Sequence, residues 1–81
     1  MPVNKTKHKL GKRQHVLLGL IYDEPFIMFE ELRDEMKARF PHNGGENLDT
    51  ALGSMETHGW VYSKGPSYAL TKKGKEVFQS L

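Results

Sequence analysis

Two runs of strand-forming residues, Trp60-Val61-Tyr62 and Tyr68-Ala69-Leu70, are separated by Ser63-Lys64-Gly65-Pro66-Ser67, in a chain that otherwise patterns as helix. Aromatic and β-branched residues favour extended backbone, and a Gly-Pro pair breaks it, so residues 60–70 read as a hairpin. A lone hairpin is barely stable in water. It must lie against the neighbouring helices, which restricts the chain to a few mixed architectures. The chain has 81 residues, room for one domain, and no cysteine. Disulfides, thiolate metal sites and sulfur redox catalysis are therefore excluded. A domain of this size buries only about 60% of its unfolded surface, so a partner subunit is the expected support.

The helices follow from apolar spacing. Val16, Leu17, Leu20 and Ile21 predict a first helix from Lys12 to Tyr22, stopped at Asp23-Glu24-Pro25. Phe26-Ile27-Met28 reads as a short strand. Phe29, Leu32, Met36 and Phe40 predict a second helix with acids in its first turn and Lys37 and Arg39 in its last, the arrangement the helix dipole favours. Pro41-His42-Asn43-Gly44-Gly45 is a turn. Leu48, Ala51, Leu52 and Met55 form one apolar stripe, so a third helix is expected from Glu46 to His58, stopped by Gly59. Thr71 is placed to cap a last helix from Lys72 to Leu81. Residues 1–9 lack periodicity and read as a flexible basic arm, leaving residues 10–81 as the domain. The economical packing sets the third helix across the second with the hairpin beside it, a helix-turn-helix with an added hairpin in the α+β class.

Leu48-Asp49-Thr50-Ala51-Leu52-Gly53-Ser54-Met55-Glu56-Thr57-His58-Gly59-Trp60-Val61 resembles the third helix and first wing strand of bacterial winged-helix regulators. Tyr68-Ala69-Leu70-Thr71-Lys72-Lys73-Gly74-Lys75 is similar to the tyrosine-x-leucine-threonine-x-x-glycine-basic signature that closes their wing and opens their last helix. Val16-Leu17-Leu18-Gly19-Leu20-Ile21 before Glu24-Pro25 is similar to the first helix of PadR-like regulators. The resemblance, over about residues 12–81, is to PadR-like and MarR-like transcriptional regulators. It implies a winged-helix fold and binding of double-stranded DNA as a homodimer, with the third helix in the major groove.

Charge is strongly segregated. Residues 1–15 carry Lys5, Lys7, Lys9, Lys12 and Arg13 and no acid, for +5; residues 16–60 carry nine acids against Arg33, Lys37 and Arg39, for −6; residues 61–81 sum to +3. Basic ends suit a polyanion, and equally a solvated tail and a solvated last helix. On a helical wheel of about 100° per residue, Glu46, Thr50, Gly53 and Thr57 lie opposite Leu48, flanked by Asp49, Asn47 and Ser54. Small hydrogen-bonding residues suit base edges and phosphates, and Gly53 would allow close approach. The third helix carries Glu46, Asp49 and Glu56 and no Lys or Arg, so phosphate contacts are expected from Lys12 and Arg13 with the arm, from the wing Lys64, and from Lys72 and Lys73. The alternative is a protein-interaction module that uses the acidic second and third helices.

Trp60, Tyr68, Phe26, Phe29 and Phe40 are expected to pack, and Tyr62 to lie on the outer face of the hairpin. Dimer contacts are expected from Leu18 and Tyr22 of the first helix and Phe78 and Leu81 of the last. His8, His15, His42 and His58 lack the spacing of a helical metal site. Asn43-Gly44-Gly45, ahead of the third helix, is suited to weak anion binding. No nucleophile has a base partner in sequence, so no enzyme and no cofactor are expected. No run reaches the length of about 18 apolar residues that a span needs, and a cytoplasmic protein is expected.

Overall fold

A computed structural model describes residues 11–80. The chain forms a helix Lys12–Asp23 (α1), a two-residue strand Ile27–Met28 (β1), helices Phe29–Arg39 (α2) and Leu48–Thr57 (α3), strands Val61–Lys64 (β2) and Ser67–Leu70 (β3), and a last helix Lys72–Gln79 (α4). The three strands make one antiparallel sheet in the order β1-β3-β2. This is an α+β winged-helix-like fold, with the elements in the order read from the sequence. The arm expected at residues 1–9, with Lys5, Lys7 and Lys9, lies outside the described residues, as does Leu81.

One core joins all the elements. Leu17, Leu18 and Ile21 of α1 meet Leu32 and Met36 of α2, Leu48, Leu52 and Met55 of α3, Ile27, Val61 and Leu70 of the sheet, and Val77 of α4. The apolar stripes are thus buried on one side of each helix, which offsets the ordering entropy of a short chain. Leu18 is 0% exposed, so it belongs to this core and is not available to a dimer surface. Trp60 is buried and stacks on His58 at 4.6 Å between centroids.

The glycine of the wing-closing signature has a structural duty. A Cβ on Gly74 would lie 1.9 Å from the Trp60 carbonyl oxygen. Thr71 ties the same corner. Its hydroxyl donates to the Gly59 carbonyl oxygen at 2.5 Å and accepts from the Gly74 N–H at 3.0 Å, while its own N–H donates to the Trp60 oxygen at 2.9 Å. The start of α4 is therefore fixed beside the C-terminal end of α3.

Two local departures from the sequence reading matter. Phe26 does not pack inside: it is 46% exposed with φ +65°. Pro25 precedes it and the Ile27 N–H donates to the Glu24 oxygen at 3.1 Å, the pattern of a turn whose third position requires positive φ and normally takes Gly or Asn. The turn, not the apolar character of the run, decides where the ring goes. Asn47 also lies outside its expected helix. It precedes α3 in the left-handed region, φ +51°, which Asn tolerates better than most residues, and α3 begins one residue later.

Candidate nucleic-acid interface

The third helix buries Leu48, Leu52 and Met55 and turns its other side to solvent. Asp49, Thr50, Glu56 and Thr57 are exposed, and Gly53 and Ser54 are half-buried. The Thr57 hydroxyl donates back to the Gly53 oxygen at 3.0 Å, and the Thr50 N–H donates to the Asp49 carboxylate at 2.9 Å. A Cβ on Gly53 would meet nothing within 4 Å, so the helix surface is open at its centre. Asn47, left-handed and exposed, projects from the entry to the helix rather than from the wheel position assigned to it.

Cations stand at both ends of this helix, whose 10 residues make it about 15 Å long. At its C-terminal end the Thr71–Gly59 bond places Lys72 and Lys73, both exposed. At its N-terminal end the side-chain stems of Arg33 and Lys37 lie over Gly45: a Cβ there would sit 3.1 Å from Lys37 Cγ and 3.5 Å from Arg33 Cγ. In the sequence Lys37 stands out only as a last-turn cation of the second helix and Arg33 only in the charge balance. Their i, i+4 spacing just ahead of a Gly-Gly turn was the available signal.

The remaining basic residues are distributed differently. Arg13 is engaged inside the fold. Its guanidinium donates to the carbonyl oxygens of Gly44 at 3.2 Å and Glu46 at 2.5 Å, and its Nε is buried without a partner. Lys12 is exposed in the first turn of α1. Lys64 is paired in register with Ser67, which is paired with Met28, so it shares with Met28 and Tyr62 the sheet face turned away from the core. Its Nζ lies 5.8 Å from the centroid of Phe26, whose ring meets Tyr62 edge-on at 6.1 Å. Phe26, Met28 and Tyr62 form an exposed apolar patch on that outer face. On the other face Tyr68 is half-buried, and its hydroxyl is held above the usual tyrosine pKa by burial first and then by the charges of Glu56 and Asp49. The acids of α3 therefore flank the inner side of the wing.

Tyr22 is exposed, packs its ring 4.9 Å from that of Phe78, and accepts a hydrogen bond from Gln79 Nε2 at 3.1 Å. The two aromatics expected at a dimer contact thus pack on each other within the chain. Among the described residues no group of three or more His, Asp or Glu is gathered to hold a metal, and no helix is long and apolar enough to cross a membrane.

The geometry has a solved counterpart. The chain shares its fold with the activation domain of the phage T4 transcription factor MotA. The two superpose with a TM-score of 0.71 at 17% sequence identity, over 96% of this chain and 78% of that one. At this identity the likeness is one of fold. No protein-family model matches the chain and no curated protein matches it in sequence.

Proposed function

We propose that the protein is a small, non-enzymatic transcriptional regulator that binds duplex DNA through α3. The observation that carries this reading is the arrangement of one helix: a polar, open face of Thr50, Gly53, Ser54 and Thr57 between cations at both ends. Small hydroxyls and an open glycine suit base edges in a major groove. Lys72 and Lys73, with Lys12 and the wing Lys64, supply phosphate contacts that carry no sequence information. The acids Asp49 and Glu56 weaken loose binding by repelling phosphates, and a carboxylate accepts from the cytosine amino group. A fold shared with a domain of a phage transcription factor supports a role in transcription, and the similarity to PadR-like and MarR-like regulators supports duplex binding by a homodimer, its two reading helices about one DNA turn apart. The test is a mobility-shift assay over random duplexes with sequencing of the bound fraction. An enriched motif is expected, and a bound fraction with no enrichment contradicts base reading.

A second reading is a protein-contact module within the transcription machinery. It is favoured by the exposed Glu46, Asp49 and Glu56 of the α3 region and by the structural counterpart being an activation domain. Absence of any duplex shift at low salt, together with loss of a protein contact on charge removal at Asp49 and Glu56, would select it.

A further inference from the structure

The turn between α2 and α3 borders an open cleft of about 210 Å³ whose wall includes Arg33, Lys37, His42, Gly44, Gly45 and Glu46. A water occupies roughly 30 Å³ in the liquid, so this space accepts a tetrahedral oxyanion with part of its hydration shell. Its charge is lopsided. Arg33 and Lys37 make no ion pair among the described residues, whereas Arg39, at the end of the same helix, is engaged by Glu35. Glu46 is the only carboxylate on the wall.

The backbone is shaped to match. A Cβ on Gly44 would lie 2.0 Å from the Met36 carbonyl oxygen, so only glycine lets the turn press against the end of α2. On Gly45 the absence of a Cβ lets the stems of Lys37 and Arg33 lie directly over the chain. Arg13, which does not line the cleft, takes the carbonyl oxygens of Gly44 and Glu46 as acceptors. Two oxygens that would repel an anion are thereby occupied, and a third cation stands behind the turn. The Gly45 N–H donates to no described group.

We propose that this cleft is a phosphate-binding site, in which Arg33 and Lys37 hold the oxyanion over the Gly44-Gly45 backbone. A guanidinium offers paired donors to two phosphate oxygens and the ammonium a mobile point charge. Position beside the entry to α3 makes a phosphate of the duplex backbone the expected source, and for that source alone the inference rests on the duplex-binding reading. A free phosphate ester presents the same chemistry.

Two arms separate the sources. In the first, inorganic pyrophosphate is titrated into the full chain and followed by amide NMR. Saturable shifts at Gly44 and Gly45 are expected, lost in the doubly substituted Arg33→Gln, Lys37→Gln protein, whose altered side chains are exposed and whose unchanged spectrum elsewhere reports an intact fold. In the second, the salt dependence of duplex binding is compared. The double variant should flatten the slope of log affinity against log salt by up to about 1.8, and Thr50→Ala should leave it as it is. Saturation by pyrophosphate with an unchanged duplex slope supports the site and assigns it to a free phosphate compound. Saturation by pyrophosphate in a protein that shifts no duplex supports the site and removes the duplex reading. Duplex binding that persists with an unchanged slope, with no pyrophosphate response, overturns the site and leaves the duplex reading standing.

Discussion

Along its exposed side α3 carries Asp49, Thr50, Gly53, Ser54, Glu56 and Thr57 and no cation, whereas the segments that abut its two ends carry Arg33 and Lys37 on one side and Lys72 and Lys73 on the other. The difference is one of chemistry as well as sign. Long cationic side chains attract any phosphate, while short hydroxyls and a bare glycine distinguish only surfaces that fit them closely. A helix built this way gains little from an arbitrary duplex and gains most from the right one. In the proposed reading the ends hold and the middle selects.

The largest expected effect separates fold from contact at the wing-closing signature. Gly74→Ala places a methyl 1.9 Å from the Trp60 oxygen, and the backbone must move. A loss of about 3 kcal/mol or more is expected in thermal or denaturant unfolding. A variant that unfolds like the parent yet binds duplex poorly would move this glycine from the fold to the interface.

Next come the substitutions in and beside the middle. Thr50→Ala should cost about 1–3 kcal/mol on the selected duplex and far less on random DNA. Asn47 needs a different replacement, because alanine in its left-handed position would strain the backbone by about 1–2 kcal/mol. Asn47→Gly keeps the conformation and removes only the amide, and should lose affinity for the selected duplex alone. Equal losses on both duplexes, read by titration calorimetry, would erase the distinction between middle and ends.

The ends predict a smaller and nonspecific effect. Lys72→Gln with Lys73→Gln should flatten the salt slope by up to about 1.8, roughly a tenfold smaller affinity loss between about 50 and 200 mM salt. The preferred sequence should not change. A shifted preference in repeat selection would mean that the start of α4 also reads bases.

The smallest effect lies on the aromatic patch of the outer sheet face, beside the wing Lys64. Phe26→Asn relieves the positive-φ strain while losing the contacts with Tyr62 and Lys64. A net gain of about 0.5–1 kcal/mol in stability is expected, with duplex affinity unaltered. A drop in duplex affinity would bring Phe26 itself, beside Lys64, into the interface.

Much of the fold was legible because its signals are periodic and local. The stripe Leu48, Leu52, Met55 and the run Leu17, Leu18, Ile21 state which side is buried, and the signature from Tyr68 to Gly74 fixes the hairpin-to-helix corner through one hydroxyl and one missing Cβ. What was illegible depended on backbone conformation or on contacts distant in sequence. Phe26 reads as core until the turn at Pro25 points it outward. Arg13 reads as a free cation until the fold brings it to carbonyls more than thirty residues on. Arg33 and Lys37 gain significance only when Gly45 lies beneath them. Tyr22 and Phe78 read as separate dimer contacts, and the fold pairs them with each other.

The most direct measurement of base reading by α3 is the duplex affinity of Gly53→Gln. A Cβ added there meets nothing within 4 Å in the free protein, and glutamine is the better helix former by about 0.5–1 kcal/mol. The melting temperature should therefore rise. If α3 lies in the major groove, the new side chain enters the space reserved for DNA, and affinity for the selected duplex should fall tenfold or more while the protein becomes more stable. Unchanged affinity for the selected duplex in this stabilised variant would contradict the account.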